Sequence, residues 1–76
     1  MSNFKKELNE LLTDIDQSQI KKLGYVSISY MNEAREHSLW KPRLILKNEE
    51  GLEIIIDGEK KIIEKLKEIY NKTRIL

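Results

Sequence analysis

The stretch LILKNEEGLEIII, residues 44–56, contains two apolar segments separated by a short polar one. Asn48 to Gly51 suits a type I turn followed by a residue in the left-handed conformation, which glycine adopts at no steric cost. The stretch therefore predicts two antiparallel strands joined by a hairpin turn, not one apolar run interrupted by a loop.

The turn also predicts how the two strands pair. On one face it pairs Leu44 with Ile56, Leu46 with Ile54, and Asn48 with Leu52. On the other face it pairs Arg43 with Asp57, Ile45 with Ile55, and Lys47 with Glu53. A slip of one residue would bury Glu53 and separate both pairs of opposite charges, so we expect this register.

Helical and strand patterns flank the hairpin. Apolar residues at spacings of three and four predict a helix over residues 2–15, capped by Ser2 or Asn3, from Phe4, Leu8, Leu11, Leu12 and Ile15. The pattern leaves open whether this helix breaks near Gln17, and Gly24 is expected to end the helical segment. A second stripe predicts a C-terminal helix, capped by Asp57, from Ile62, Ile63, Leu66, Ile69 and Tyr70.

The segment YVSISY, residues 25–30, alternates as a strand does. One face would carry Val26, Ile28 and Tyr30, and the other Tyr25, Ser27, Ser29 and Met31. The next strand is expected to begin near Leu39 or Trp40, with Pro42 close to its start.

These elements predict a single small α+β domain over residues 1–76. The expected architecture is a two-layer sandwich of a three-stranded antiparallel sheet with an N-terminal and a C-terminal helix on one face (α-β-β-β-α). Both helices would cover the face that carries Val26, Ile28, Leu44, Leu46, Ile54 and Ile56. The other face is chemically mixed and is where we expect a partner to bind.

Composition limits the classes of function. The 76 residues include 14 basic and 13 acidic ones, and the net charge of +1 fits neither a strongly cationic nucleic-acid-binding domain nor a wholly acidic DNA mimic. With no cysteine, neither a disulfide nor a thiolate-bound zinc ion is expected. The sequence has neither a long apolar segment nor a signal-like N-terminus, so we expect a cytoplasmic protein that does not enter a membrane.

Residue patterns for catalysis are weak. His37 is the one histidine, and although Glu33 precedes it at helical spacing, a metal site needs more ligands than this pair. The sequence has no glycine-rich phosphate loop. We therefore predict no catalytic residue, no metal site and no cofactor.

Two surfaces are candidates for binding. The polar turn would contact a partner protein through Asn48, Glu49, Glu50 and Glu53. The second candidate is a sheet face, which would serve as an interface or bind single-stranded nucleic acid, and comprises Tyr25, Trp40, Lys41, Arg43, Ile45, Lys47 and Ile55. A third interpretation is a homodimer joined through Ile45 and Ile55.

The turn pattern N-x-x-G-x-E (Asn48, Gly51, Glu53), the apolar strand through Ile56 and the IIEKL helix entry at residues 62–66 resemble small phage-encoded anti-CRISPR proteins. The similarity is to the listerial type, which inhibits type II-A Cas9 and has the same order of elements. The resemblance implies that the acidic and polar turn occupies a site on a host defence protein, with Asn48, Glu49, Glu50 and Glu53 as contacts. It implies an inhibitor from a phage or mobile element that acts by covering its target's surface.

Overall fold

The chain folds as a helix, three strands and a second helix, which confirms the predicted α+β architecture. The computed structural model describes residues 3–34 and 40–75. The helices are α1, Phe4–Asp14, and α2, Glu59–Arg74; the strands are β1, Tyr25–Ala34, β2, Trp40–Asn48, and β3, Glu53–Asp57. A short 3₁₀ helix, Ile20–Leu23, precedes β1. His37 lies outside the described residues.

The strands form one antiparallel sheet in the order β1-β2-β3. The predicted register between β2 and β3 is confirmed at every paired position, from Arg43 opposite Asp57 to Lys47 opposite Glu53. At the turn, the Gly51 N–H donates to the Asn48 carbonyl at 3.1 Å, and the Asn48 N–H donates to the Leu52 carbonyl at 3.0 Å. Gly51 has φ +85°, the left-handed conformation that the sequence predicts.

The core lies between the sheet and the two helices. Leu44 and Leu46 of β2 are fully buried, as are Ile62 and Leu66 of α2. The core is completed by residues of α1, the segment after it and the end of α2: Phe4, Leu8, Ile15, Ile20 and Ile69. Each such buried aliphatic side chain contributes about 1.5–3 kcal/mol of hydrophobic stabilisation, so the core is the main source of stability in this small domain.

The helices share one side of the sheet but contact it differently. α2 packs on β2 and β3, whereas α1 packs chiefly against α2. The Phe4 ring links α1 to the sheet, with its centroid 6.0 Å from that of Tyr30 in β1. The Cα atoms extend over 42 × 29 × 15 Å, so the molecule is a thin slab. On the opposite sheet face, Met31 and Ile55 are exposed.

The first helix does break. α1 ends at Asp14, and Ile15 stays buried although its backbone is extended. Gly24 ends the 3₁₀ helix with φ +92°, as its position predicts.

The predicted side-chain caps at Asn3 and Asp57 are wrong, and Ser2, the alternative cap of α1, lies outside the described residues. Asn3 occupies the N-cap position of α1, but its side chain makes no capping hydrogen bond. At α2 the N-cap residue is Gly58, which has φ +100° and no side chain that could form a capping hydrogen bond. Asp57 instead accepts a hydrogen bond from Arg43 across the hairpin, because it is still part of β3.

The predicted orientation of Tyr25 and Val26 is wrong. Tyr25 pairs with Asn48 and Ser27 with Lys47, so β1 has one extra residue at this point, a β-bulge. The bulge shifts the side-chain alternation. Tyr25 therefore packs against the core, and Val26 is 42% exposed.

The two helices also cover less of the inner face, the sheet face turned toward them, than the sequence predicts. Ile54 lies opposite the buried Leu46, yet it is 47% exposed. The reason is its place in β3, an edge strand with a neighbouring strand on one side only. Ile56, nearer the start of α2, packs against the core as expected.

Candidate protein-binding surface

The sheet face turned away from the helices is here called the outer face. Its described members, by register, are Ser27, Ser29, Met31, Arg43, Ile45, Lys47, Glu53, Ile55 and Asp57. They form three rows across the strands. The middle row joins Ser29, Ile45 and Ile55, and the two flanking rows carry the charged side chains.

The outer face has an apolar centre. Ile55 is 49% exposed and Met31 is 40% exposed, and Ile45 between them is partly buried by its neighbours in the sheet. Apolar side chains with charged ones on two sides are compatible with the apolar centre and polar rim of a protein interface. The structure thus brings together Arg43, Ile45, Lys47 and Ile55 of the sequence-predicted residues.

The two predicted charge pairs on this face differ. The Arg43 Nε–H donates to Asp57 Oδ1 at 3.1 Å. Lys47 and Glu53 are directly opposite each other and exposed, but in the described part of the chain no ion pair joins them within 4.0 Å. Both charged groups of this second pair therefore face solvent and are accessible to a partner.

The polar turn between β2 and β3, here called the acidic turn, has one residue that stabilises it and two that are exposed. Asn48 Oδ1 accepts hydrogen bonds from the backbone N–H groups of Glu50 and Leu52, both at 2.9 Å. The side-chain amide oxygen of Asn48 thus stabilises the turn itself. Glu49 and Glu50 are exposed.

Two lysines, which sequence analysis did not associate with the turn, lie beside it. Lys21, Lys22 and Gly24 line a shallow cleft together with Asn48, Glu49 and Glu50. The lysines belong to the 3₁₀ helix before β1, which packs at this end of the sheet. The turn is therefore half of a mixed acidic and basic surface, a feature of tertiary structure that local spacing does not indicate.

The basic and aromatic residues predicted for nucleic acid are only partly assembled. Arg43 and Lys47 share the outer face, but Tyr25 lies on the helix side, close to Lys65 of α2. The side chains of Trp40 and Lys41 lie outside the described part of the structure. Tyr25 is thus removed from the predicted stacking surface by the bulge.

Lys65 belongs to a small charged network on α2. Its Nζ donates to Glu68 Oε2 at 2.9 Å, and Lys72 Nζ lies 3.5 Å from the same oxygen. The hydrogen bond to Glu68 raises the pKa of Lys65, and partial burial opposes it; Tyr25 adds to the rise. The same bond lowers the pKa of Glu68. This network is a solvated helix face, as the alternating charges of α2 predict.

Chemistry elsewhere in the described residues is limited. Burial raises the pKa of Tyr30, and Glu59 adds to the rise. A cleft between the start of α1 and the N-terminal part of α2 has lining groups of both charges, among them Glu7, Lys60 and Lys67. Among residues 3–34 and 40–75, no group of three or more His, Asp or Glu side chains is placed to hold a metal ion.

Comparison with known proteins gives no match to a family model, a curated protein or a solved structure. Neither α1 nor α2, the helices in the described residues, has the length and apolar character needed to cross a membrane.

Proposed function

We propose that this protein is a small non-enzymatic protein-binding module that acts in the cytoplasm by covering a surface of its partner. The observation that carries the proposal is the outer face, where exposed Met31 and Ile55 lie on either side of Ile45 and a rim of charged side chains lies on two sides of the patch. An uncovered apolar patch with such a rim favours association with another protein.

The acidic turn is proposed as part of the same contact. A standard protein interface buries about 800 Å² on each partner, more than one row of three side chains provides. The contact would therefore extend from Ile55 through Glu53 to the exposed carboxylates of Glu49 and Glu50. These groups favour a partner surface that carries basic residues.

The resemblance in the hairpin and helix entry makes a CRISPR effector, specifically type II-A Cas9, the first partner to test. Under this proposal the protein is an inhibitor from a phage or mobile element. A Cas9 cleavage assay tests this assignment separately from the more general one. Inhibition that is lost in the Glu49→Lys, Glu50→Lys double variant supports it, and full cleavage at excess wild-type protein rejects Cas9 as the partner.

The general proposal is tested by capture of partners on the immobilised protein, followed by quantitative binding to the partner identified. The Met31→Ser, Ile55→Ser double variant removes the exposed apolar centre and leaves the core intact. We expect it to bind at least about tenfold more weakly, which corresponds to about 1.4 kcal/mol, with little change in its thermal midpoint.

Ile75→Ser is the matched control, because Ile75 is also a highly exposed isoleucine but lies after α2. It should bind as wild type does. Equal binding by the double variant and the control would remove the outer face from the proposal. Salt-dependent binding to oligonucleotides, with no protein partner, would favour the nucleic-acid alternative instead.

A further inference from the structure

The free edge of β3 presents unpaired backbone groups. In an antiparallel pair, residues alternate between those that bond to the partner strand and those that point away from it. Hydrogen bonds from Asn48 N–H to the Leu52 carbonyl and from Gly58 N–H to the Pro42 carbonyl fix which residues of this hairpin bond to β2. It follows that the N–H and C=O groups of Glu53, Ile55 and Asp57 point outward from the sheet.

This edge is open on both faces. Ile55 is exposed on the outer face and Ile54 on the inner one, and every residue of β3 except Ile56 is exposed. Edge strands are often protected by a proline, a lysine, a bulge or a short length. β3 (EIIID) is short and has a carboxylate near each end, but it has no proline, no lysine and no bulge. The other edge strand, β1, does carry a bulge, between Tyr25 and Ser27.

The charges on β3 specify what would complement it. On its outer face the order is Glu53, Ile55, Asp57, which is anionic, aliphatic, anionic. β2 pairs with this pattern inside the molecule through the reverse order, Lys47, Ile45, Arg43, so the sheet already contains one strand of the complementary type. A strand on the free edge of β3 would meet the same pattern. The side chain of Asp57 is 61% exposed, and a carboxylate can accept hydrogen bonds from two partners.

We propose that the free edge of β3 binds an extended segment of the partner protein in which two cationic side chains flank an aliphatic one, so that the sheet gains a fourth strand. This inference rests on the proposed function and names the chemistry of the partner. Backbone hydrogen bonds to Glu53, Ile55 and Asp57 provide affinity, and the alternating side chains provide specificity.

A second copy of β3 complements this edge poorly. Outward-pointing groups must face each other, so the full-length antiparallel register centres on Ile55 opposite its own copy. That register places Glu53 of each chain opposite Asp57 of the other, and like charges directly opposite each other are destabilising. Shifted registers avoid the repulsion only by losing backbone pairs.

The test uses a synthetic probe peptide, lysine-valine-isoleucine-valine-lysine with blocked ends, and its counterpart with glutamates in place of the lysines. Binding to the full chain is followed by nuclear magnetic resonance. We expect the lysine peptide to shift the amide signals of residues 53–57 and to slow hydrogen exchange of the Ile55 N–H. The glutamate peptide should bind at least about tenfold more weakly.

Two variants at position 55 distinguish the contribution of the backbone N–H to peptide binding from that of the side chain. Ile55→Pro removes the outward N–H, and proline is tolerated at such an edge position because no bond to β2 is lost. Ile55→Ala removes the side chain but keeps the N–H. We expect the lysine peptide to bind the alanine variant, with some loss, and not to bind the proline variant.

Several results would overturn the inference. These are signal changes confined to residues outside β3, equal binding of the two peptides, or equal binding by the two variants. Exchange protection at Ile55 that depends on protein concentration without peptide would indicate a second copy as the occupant. If a protein partner is captured through Met31 and Ile55 but binds the proline and alanine variants equally, the edge inference fails while the proposed function stands.

Discussion

At the scale of single residues, Gly51 carries the conformation on which the hairpin depends. Its φ of +85° is one that residues with a Cβ adopt only at a cost, and an added Cβ would meet no atom within 4 Å. Gly51→Ala should therefore lower the free energy of unfolding by about 1 kcal/mol through backbone strain alone. In a domain of this size that loss lowers the thermal midpoint by about 4–8 °C.

Gly51→Asn is the matched control, because asparagine tolerates the left-handed conformation better than alanine does. In urea unfolding, Gly51→Asn should lose less free energy of unfolding than Gly51→Ala. The slope of that free energy against urea concentration should be the same for both variants. An alanine variant as stable as wild type would show that the turn does not require positive φ.

Some single-residue features were predictable from the sequence and others were not. The turn at Asn48–Gly51 was predictable because its chemistry is local: a positive φ and a two-strand pattern lie within a few residues. The sheet faces that Tyr25 and Val26 occupy were not predictable, because the bulge depends on how β1 aligns with β2. Asp57 has a good capping side chain, but its place opposite Arg43 in the sheet takes precedence.

At the scale of elements, the β2–β3 hairpin contains an internal comparison of two charge pairs. Arg43 and Asp57 are joined at 3.1 Å, whereas Lys47 and Glu53 are opposite each other without an ion pair. A double-mutant cycle with alanine substitutions should give a coupling of about 0.3–1 kcal/mol for the first pair. The coupling for the second pair should be close to zero.

The two pairs share a face and a hairpin, so each serves as the control for the other. Raised salt should reduce the coupling of the Arg43–Asp57 pair, because both groups are partly exposed and their attraction is screened. Equal couplings for the two pairs would contradict the ion pair found between Arg43 and Asp57 and not between Lys47 and Glu53.

Helix and strand patterns predicted the secondary structure elements better than they predicted which strand residues the helices bury. The stripes that contain Leu8 and Leu66 identified both helices, since only one side of each helix is apolar. The pattern of β3 gave the right register but did not predict the exposure of Ile54. Coverage of a strand depends on where a helix crosses the sheet, and the sequence of β3 contains no information on that crossing.

At the scale of the whole molecule, the central claim is that the slab has one closed and one open sheet face. The closed face is buried under α1 and α2 around Leu44 and Leu46. The open face carries Ile55 and the other groups proposed to bind a partner. The sequence pattern distinguished the two faces except at Tyr25 and Val26. It did not predict the lysines beside the turn, because they belong to a segment that only the tertiary structure brings there.

The most direct test is the rate at which single cysteines react with a thiol reagent, because the natural chain has no cysteine. Ile55→Cys and Leu46→Cys place one thiol on each face, and each rate is compared with that of the same variant unfolded in urea. We predict that Ile55→Cys reacts at close to its unfolded rate at all protein concentrations, and that Leu46→Cys reacts at least about a hundredfold more slowly than its unfolded form. Similar protection of both thiols, or faster reaction at position 46 than at position 55, would contradict the account.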